Sequence, residues 1–278
     1  MDTEAAPLLH HSNTPASLFS DYHWHPQGHR VQTYTRELLQ PWVDRARERG
    51  LTDIAFTDHD RYHEGIVFDE IERLREKNPD IKIRAGLELD NDPLHGAAGR
   101  KWVEEHWAQL DFVLGSVHFL ERDDEMFDSV PAGAAQFEGR DIDAMYADYL
   151  RRVREMAASG LVDCLAHIDL IKIHGHRPNG EIKAIFQETI EFIRARNLAI
   201  ELSTAGWRKP VGELYPSDGI IELALEKGIP FTTASDAHSH AQLADGFERL
   251  ADKMSELGIS QVSVFEKHKR QPRILFAP

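Results

Sequence analysis

Residues Thr52 to Asp60, TDIAFTDHD, pass from an apolar run of strand length straight into Thr, Asp, His and Asp. An apolar run without a polar residue at every second position belongs to a strand covered on both faces, as in a parallel sheet. The same form returns in IKIRAGLEL (81–89), FVLGSVHF (112–119), VDCLAHID (162–169), LAIELST (198–204) and IPFTTASDAH (229–238), with SLFSDYHWH (17–25) a weaker first member. Each run ends in polar residues. Between them lie segments of helical spacing: RELLQPWVDRARERG (36–50), EGIVFDEIERLREKN (64–78), IKAIFQETIEFIRARN (182–197) and YPSDGIIELALEKG (215–228). Gly50 and Asn197 mark helix ends, Ser217 is placed as an N-cap and Gly228 as a stop. This alternation predicts a parallel α/β architecture, and 278 residues match one barrel of strand and helix units. Two stretches break the rhythm, 121–140 (ERDDEMFDSVPAGAAQFEGR) and 91–101, and both are expected as loops over one face.

Hydrophobic residues are 41% and charged residues 28% of the chain, a globular composition with enough apolar side chains for a large core. The formal net charge of -15 argues against a protein that grips extended nucleic acid, because phosphate backbones need surplus Lys and Arg. A small or cationic partner fits better. Residues 1–17 are acidic and broken by Pro, without the basic start and apolar run of a signal or transit peptide, and are expected as a flexible tail before a single domain at 18–278. No segment approaches the ~20 apolar residues of a membrane span. The lone Cys164 excludes an internal disulfide and suits a reducing cytoplasm. Nothing in the sequence speaks to oligomeric state.

His23 and His25 close the first run, His59 the second, Glu88 the third, His118 the fourth, His167 the fifth, and Asp236 with His238 the last. In a barrel of parallel strands these ends converge on one mouth, where active sites are built. Alternate residues of a strand share a face, so His23 and His25 can grip one ion, and Asp236 with His238 repeats that spacing. Imidazole and carboxylate are ligands for zinc, iron and manganese. With His29 just beyond the first run there are nine such groups, more than one tetrahedral ion uses, so two or three divalent ions are expected. Glu88 could bridge two of them and offset their repulsion. A single histidine is more often a hydrogen-bonded, half-buried residue than a ligand; the shared position at strand ends carries the reading.

The motifs DYHWH, FTDHD, GLELD, GSVHF, AHIDLIK and ASDAHS resemble, in order, those of the PHP (polymerase and histidinol phosphatase) superfamily from Asp21 onward. STAGWRKPVGELYPS with the late SVFEKHKRQP is similar to its histidinol-phosphate phosphatase branch. The resemblance implies a distorted (β/α)7 TIM-like barrel holding a two- or three-metal centre. By motif, His23, His25, Glu88 and Asp236 would hold one ion, Glu88, His118 and His167 a second, and His29, His59 and His238 the third of a trinuclear centre. The chain departs from that branch around His29, where the third histidine usually stands further from the His-x-His pair.

The expected reaction is hydrolysis of a small phosphate ester, most concretely L-histidinol phosphate in histidine biosynthesis, by a metal-bridging hydroxide whose water has its pKa lowered from 15.7 toward about 7. No protein nucleophile is then needed, in keeping with a Cys164 inside an apolar strand and no serine in a nucleophile elbow. Asp236 could orient the hydroxide or relay a proton. Arg208 and Lys209 are the best-placed cations for phosphate, Arg208 first because guanidinium pairs bidentately; two solvated charges are the plain alternative. Lys172 is a weaker candidate, and Glu213 could meet an amine or imidazole of the substrate or form a salt bridge. Trp24 and Trp207 are expected to pack. The competing enzyme reading is a phosphoesterase of the same superfamily acting on nucleotides or short oligonucleotides. An amidohydrolase-type barrel fits less, since the fourth strand end carries GSVHF where that class commonly has lysine. A metal-binding module with a decayed site fits least, because no expected ligand position is apolar.

Overall fold

A strand that is apolar on both sides needs cover on both sides, and a ring of strands wrapped in helices provides it. A computed structural model describes residues 19–121 and 125–275; the expected tail at 1–17 lies outside the described residues. Seven parallel strands pair in chain order: β1 (Ser20–Asp21), β2 (Asp53–Phe56), β3 (Lys82–Leu89), β4 (Phe112–Gly115), β5 (Cys164–Leu165), β6 (Ala199–Ser203) and β7 (Phe231–Ala234). The ring comes back on itself, for the Tyr22 N–H donates to the Thr233 carbonyl at 3.2 Å and the His25 N–H to the Ala237 carbonyl at 2.8 Å. Around it run α1 (Arg36–Glu48), α2 (Phe68–Lys77), α3 (Gly96–His106), α4 (Ile142–Ala158), α5 (Ile182–Ala195), α6 (Asp218–Glu226) and α7 (Phe247–Glu256). This is the (β/α)7 TIM-like barrel that the alternation and the motifs predict. Among the described residues no helix is long and apolar enough to cross a membrane.

The helices follow their spacing. In α1, Leu39, Trp42, Val43 and Ala46 fall three and four apart and are buried against the strands, while the Thr35 side chain accepts from the Leu38 N–H at the start. Ser217 does occupy the cap position of α6, but its side chain makes no capping bond; its N–H donates instead to Asp169 Oδ2 at 2.8 Å.

Three features depart from the expectations. The stretch 91–101 is not a loop throughout, because α3 begins at Gly96, after Asp92 Oδ1 accepts the Leu94 and His95 N–H groups at 2.8 and 3.0 Å. Its glycines serve close packing: a Cβ on Gly99 would lie 2.0 Å from Asp60 Oδ2. Within 121–140, the described part holds a 3-10 turn at Ala132–Phe137. The chain closes with an antiparallel hairpin, β8 (Gln261–Glu266) and β9 (Lys269–Ile274), where SVFEKHKRQP suggested only a family mark.

That hairpin seals the N-terminal end of the barrel. Asp111 and Asp163, just ahead of β4 and β5, accept from the Lys267 N–H at 3.2 Å and hold the His268 Nδ1 at 2.8 Å. Phe265 enters the interior against Tyr22 and Phe112, with ring centroids 5.9 and 4.6 Å away. Ala55, Ala166, Ala199 and Cys164 share that buried cluster; small side chains opposite large rings let the bore fill without voids.

Candidate metal centre

With one end filled, the open mouth gathers what the other strand ends carry. Glu88, at the end of β3 and fully buried, is the hub. Its Oε2 lies 2.8 Å from His59 Nδ1, 3.3 Å from His23 Nε2 and 3.5 Å from His25 Nε2. Its Oε1 lies 3.4 Å from His167 Nε2 and 3.8 Å from His118 Nε2. Asp236 Oδ1 reaches His25 Nε2 at 3.3 Å, His238 Nδ1 at 3.6 Å and His23 Nε2 at 3.7 Å. Eight of the nine groups singled out in the sequence meet here from six of the seven strands. His29 is exposed and stands at the rim, its ring stacked on His238 at 4.4 Å.

Backbone conformation aims two of these side chains. His167 and Asp236 have φ of 25° and 49°, in the left-handed region that costs a non-glycine residue on the order of 1 kcal/mol or more. His167 is held there by its N–H donating to Glu201 Oε1 at 3.0 Å and by the Tyr149 hydroxyl donating to its carbonyl at 3.0 Å.

The donor chemistry fits divalent cations. His23 Nε2, His25 Nε2, His59 Nδ1, His238 Nε2 and both oxygens of Glu88 are buried without a hydrogen-bond partner, whereas buried polar atoms in proteins are nearly always partnered. Among the described residues, four sets of three donors lie within 4.8 Å of one another: His23, His25 and Asp236; His23, Glu88 and His167; His25, His59 and His238; and His59, Asp90 and His118. They overlap at His23, His25 and His59, as a cluster of neighbouring ions requires. His29 belongs to none of them.

Electrostatics keep the acids ionised. Burial alone would raise Glu88, but His59 and His23 outweigh it and hold its carboxyl well below the ordinary range. Asp236 is lowered in the same way by His23, His25 and His238. Burial holds His238 down to about 4 despite Asp236. His118 goes the other way: burial opposes its charge, yet Asp90 and Asp128 push it up to about 10. A cation binding at His118 would therefore displace a proton.

Acids that the sequence reading passed over stand behind these histidines. Glu201, buried in β6, lies 2.9 Å from His23 Nδ1, and Asp90 lies 3.0 Å from His118 Nδ1. Carboxylates in this position fix ring orientation and raise ligand basicity. The signal was in the sequence: each is an acid inside or at the edge of an apolar strand, where a charge must have a partner.

The proposed substrate contacts divide between two cavities. Arg208 and Lys209 border the one over the donors, about 250 Å³ in volume. Arg208 is tied by Nη2 to the Ser235 carbonyl at 2.5 Å, and its Nη1 is buried without a hydrogen-bond partner. Lys172 and Glu213 border a separate cavity of about 910 Å³. Lys172 is buried, 2.8 Å from Asp169 and 3.3 Å from Glu213, and Glu213 also meets Arg177 at 2.6 Å. Tyr215, fully buried, separates that lysine from the donors, its ring 5.2 Å from Lys172 Nζ and 6.4 Å from the His167 ring. Trp24 is core, packed on Trp42 and Phe56 at 4.9 and 4.6 Å.

The PHP domain family model matches residues 21–205. A protein of Deinococcus radiodurans named "Probable histidinol-phosphatase" is 33% identical over 270 residues, covering 91% of this chain and 98% of that one. "Histidinol-phosphatase" of Lactococcus lactis subsp. lactis is 27% identical, covering 78% and 83%. The solved structure of histidinol phosphate phosphatase from that organism, complexed with zinc, L-histidinol and phosphate, matches with a TM-score of 0.69 at 20% identity over 91% of this chain and 99% of that one. At that identity the likeness is one of fold.

Proposed function

The chain belongs to the PHP domain family, and from that premise we propose that it is a metal-dependent phosphomonoesterase that hydrolyses L-histidinol phosphate to L-histidinol and phosphate. The observation that carries the reading is the meeting of seven imidazole and carboxylate side chains around Glu88, with buried donor atoms left unpartnered among the described residues. The Deinococcus relative, matched over nearly its whole length, supports the substrate.

His23, His25, Glu88 and Asp236 would hold one ion, Glu88, His118 and His167 a second, and His59 with His238 a third, with His29 beside them at the rim. When bound, two or three ions of zinc, iron or manganese would supply Lewis-acid polarisation of the phosphoryl oxygens and a water whose pKa is lowered toward about 7. The chain does the rest. Arg208 and Lys209 border the same cavity and would pair with the phosphate oxygens not taken by metal. Asp236 keeps its carboxyl ionised beside three histidines and can orient the attacking water through Oδ1. Lys172 and Glu213, paired to each other at 3.3 Å on the far side of Tyr215, act from outside this cavity, by supporting its wall. We extend the proposal to one catalytic unit at 18–278 in the cytoplasm, a setting that a single buried Cys164 fits.

The test is phosphate release by purified, metal-loaded protein across small phosphate esters, with chelated protein as control. Histidinol phosphate is expected to be the best substrate and chelation to stop its turnover. Rapid hydrolysis of a nucleotide with none of histidinol phosphate would overturn the assignment.

A further inference from the structure

The acidic loop after β4 brings one more carboxylate to the mouth. Asp128 borders the same cavity as Glu88, Asp236, Arg208 and Lys209. Of the acids that line that cavity among the described residues, Asp128 is the one outside every donor set. Its Oδ1 is buried without a hydrogen-bond partner among the described residues, and its charge is felt by His118, His29 and Tyr215.

The residue before it fixes its place. Phe127 is fully buried between Tyr149 and Phe137, its N–H donates to the His118 carbonyl at 3.1 Å, and its carbonyl lies 2.9 Å from His174 Nε2. Gly133 passes so close that a Cβ there would lie 2.1 Å from the Phe127 carbonyl oxygen. Glycine is therefore required for the loop to fold back over its anchor. An acid held rigidly with one oxygen unpartnered is costly until a donor arrives. The other acid expected to meet a substrate cation, Glu213, is already paired with Arg177 and Lys172 in the second cavity.

We propose that Asp128 selects phosphate esters whose leaving group is positively charged, its carboxylate pairing with an ammonium or imidazolium while Arg208 and Lys209 take the phosphate. The inference rests on the phosphomonoesterase reading and narrows its substrate class. The cavity then carries both signs of charge, matched to an ester that does the same.

Two esters of equal size test it on the metal-loaded full chain: O-phosphoethanolamine and propyl phosphate, which differ by an ammonium in place of a methyl. The wild type is expected to favour the charged ester by about tenfold to a hundredfold in kcat/KM, chiefly through KM, the range of a charge-assisted hydrogen bond. Asp128→Asn collapses that ratio toward one, and Asp128→Glu restores part of it. For esters too small to turn over, the same ratio is read from binding by calorimetry. A wild type indifferent to the ammonium overturns the inference, and so does an Asp128→Asn variant that loses both esters equally, which is the mark of a proton donor or a metal ligand. Histidinol phosphate run alongside keeps the two readings apart: its failure to react, with the charge preference intact, strikes the named substrate and leaves the role of Asp128 standing.

Discussion

Asp53 and Glu88 are both fully buried carboxylates on neighbouring strands, at opposite ends of the same barrel. Asp53, at the sealed end, lies 3.1 Å from Arg84 Nε and 2.8 Å from Arg273 Nη2, and accepts from the Tyr22 hydroxyl at 2.8 Å. Glu88, at the open end, has five imidazoles around it and no hydrogen bond to either oxygen. One acid is saturated by fixed cations and can only hold the floor in place. The other is surrounded by groups that can give up their protons, so its partners are exchangeable. Burial alone does not separate a structural acid from a functional one; whether its oxygens are already spoken for does.

Exchanging the carboxylates for amides is the sharpest way to break this contrast. Glu88→Gln is expected to lower phosphate release on the order of 10⁴-fold, since it removes the carboxylate shared by two of the proposed ions, with near-UV circular dichroism still showing a packed core. Asp53→Asn removes the buried carboxylate between Arg84 and Arg273, leaving Arg84 to the exposed Glu266 at 3.2 Å, and should cost roughly 3–5 kcal/mol of stability in denaturant titrations, while the folded fraction keeps its metal content. If Asp53→Asn empties the mouth of metal, or Glu88→Gln unfolds the barrel, the two ends are not separable.

Glu201 sharpens the contrast from within the mouth, as an acid that serves through others. Glu201→Ala should weaken metal retention about ten- to a hundredfold in chelator competition, and unchanged retention would remove its role in orienting His23. The smallest effect belongs to Asp60, whose carboxyl is pushed from 3.8 up to about 7, first by burial and then by Asp90. The folded protein thus holds that proton more tightly than the unfolded chain, so the contribution is full below about pH 4 and is lost as pH rises through 7. Asp60→Asn should then stabilise metal-free protein at pH 8 by about 1–3 kcal/mol and bring little at pH 4; melting curves displaced equally at both pH values would refute this.

How much could be read in the chain depended on periodicity. The six main apolar runs all became strands because their pattern is local, and the polar residues at their ends landed at one mouth because parallel topology leaves them nowhere else to go. Gly99 misled, since glycine that permits close approach to Asp60 looks in sequence like glycine that permits a turn. Lys172 was placed near the ions by its distance from His167 in sequence, but the 3-10 turn at Leu170–Lys172 carries it behind Tyr215. Glu201 and Asp128 escaped notice for opposite reasons, one hidden as a lone acid inside β6, the other as one acid among many in a loop.

The hairpin that closes the floor also sets an order of events. Arg273 reaches Asp53 across 220 positions, and a ribosome delivers those positions in sequence at about 5–20 residues per second. All seven staves have therefore emerged before the cork that holds them does. Until then Asp53 lacks Arg273, and Tyr22 and Phe112 lack the Phe265 ring that covers them.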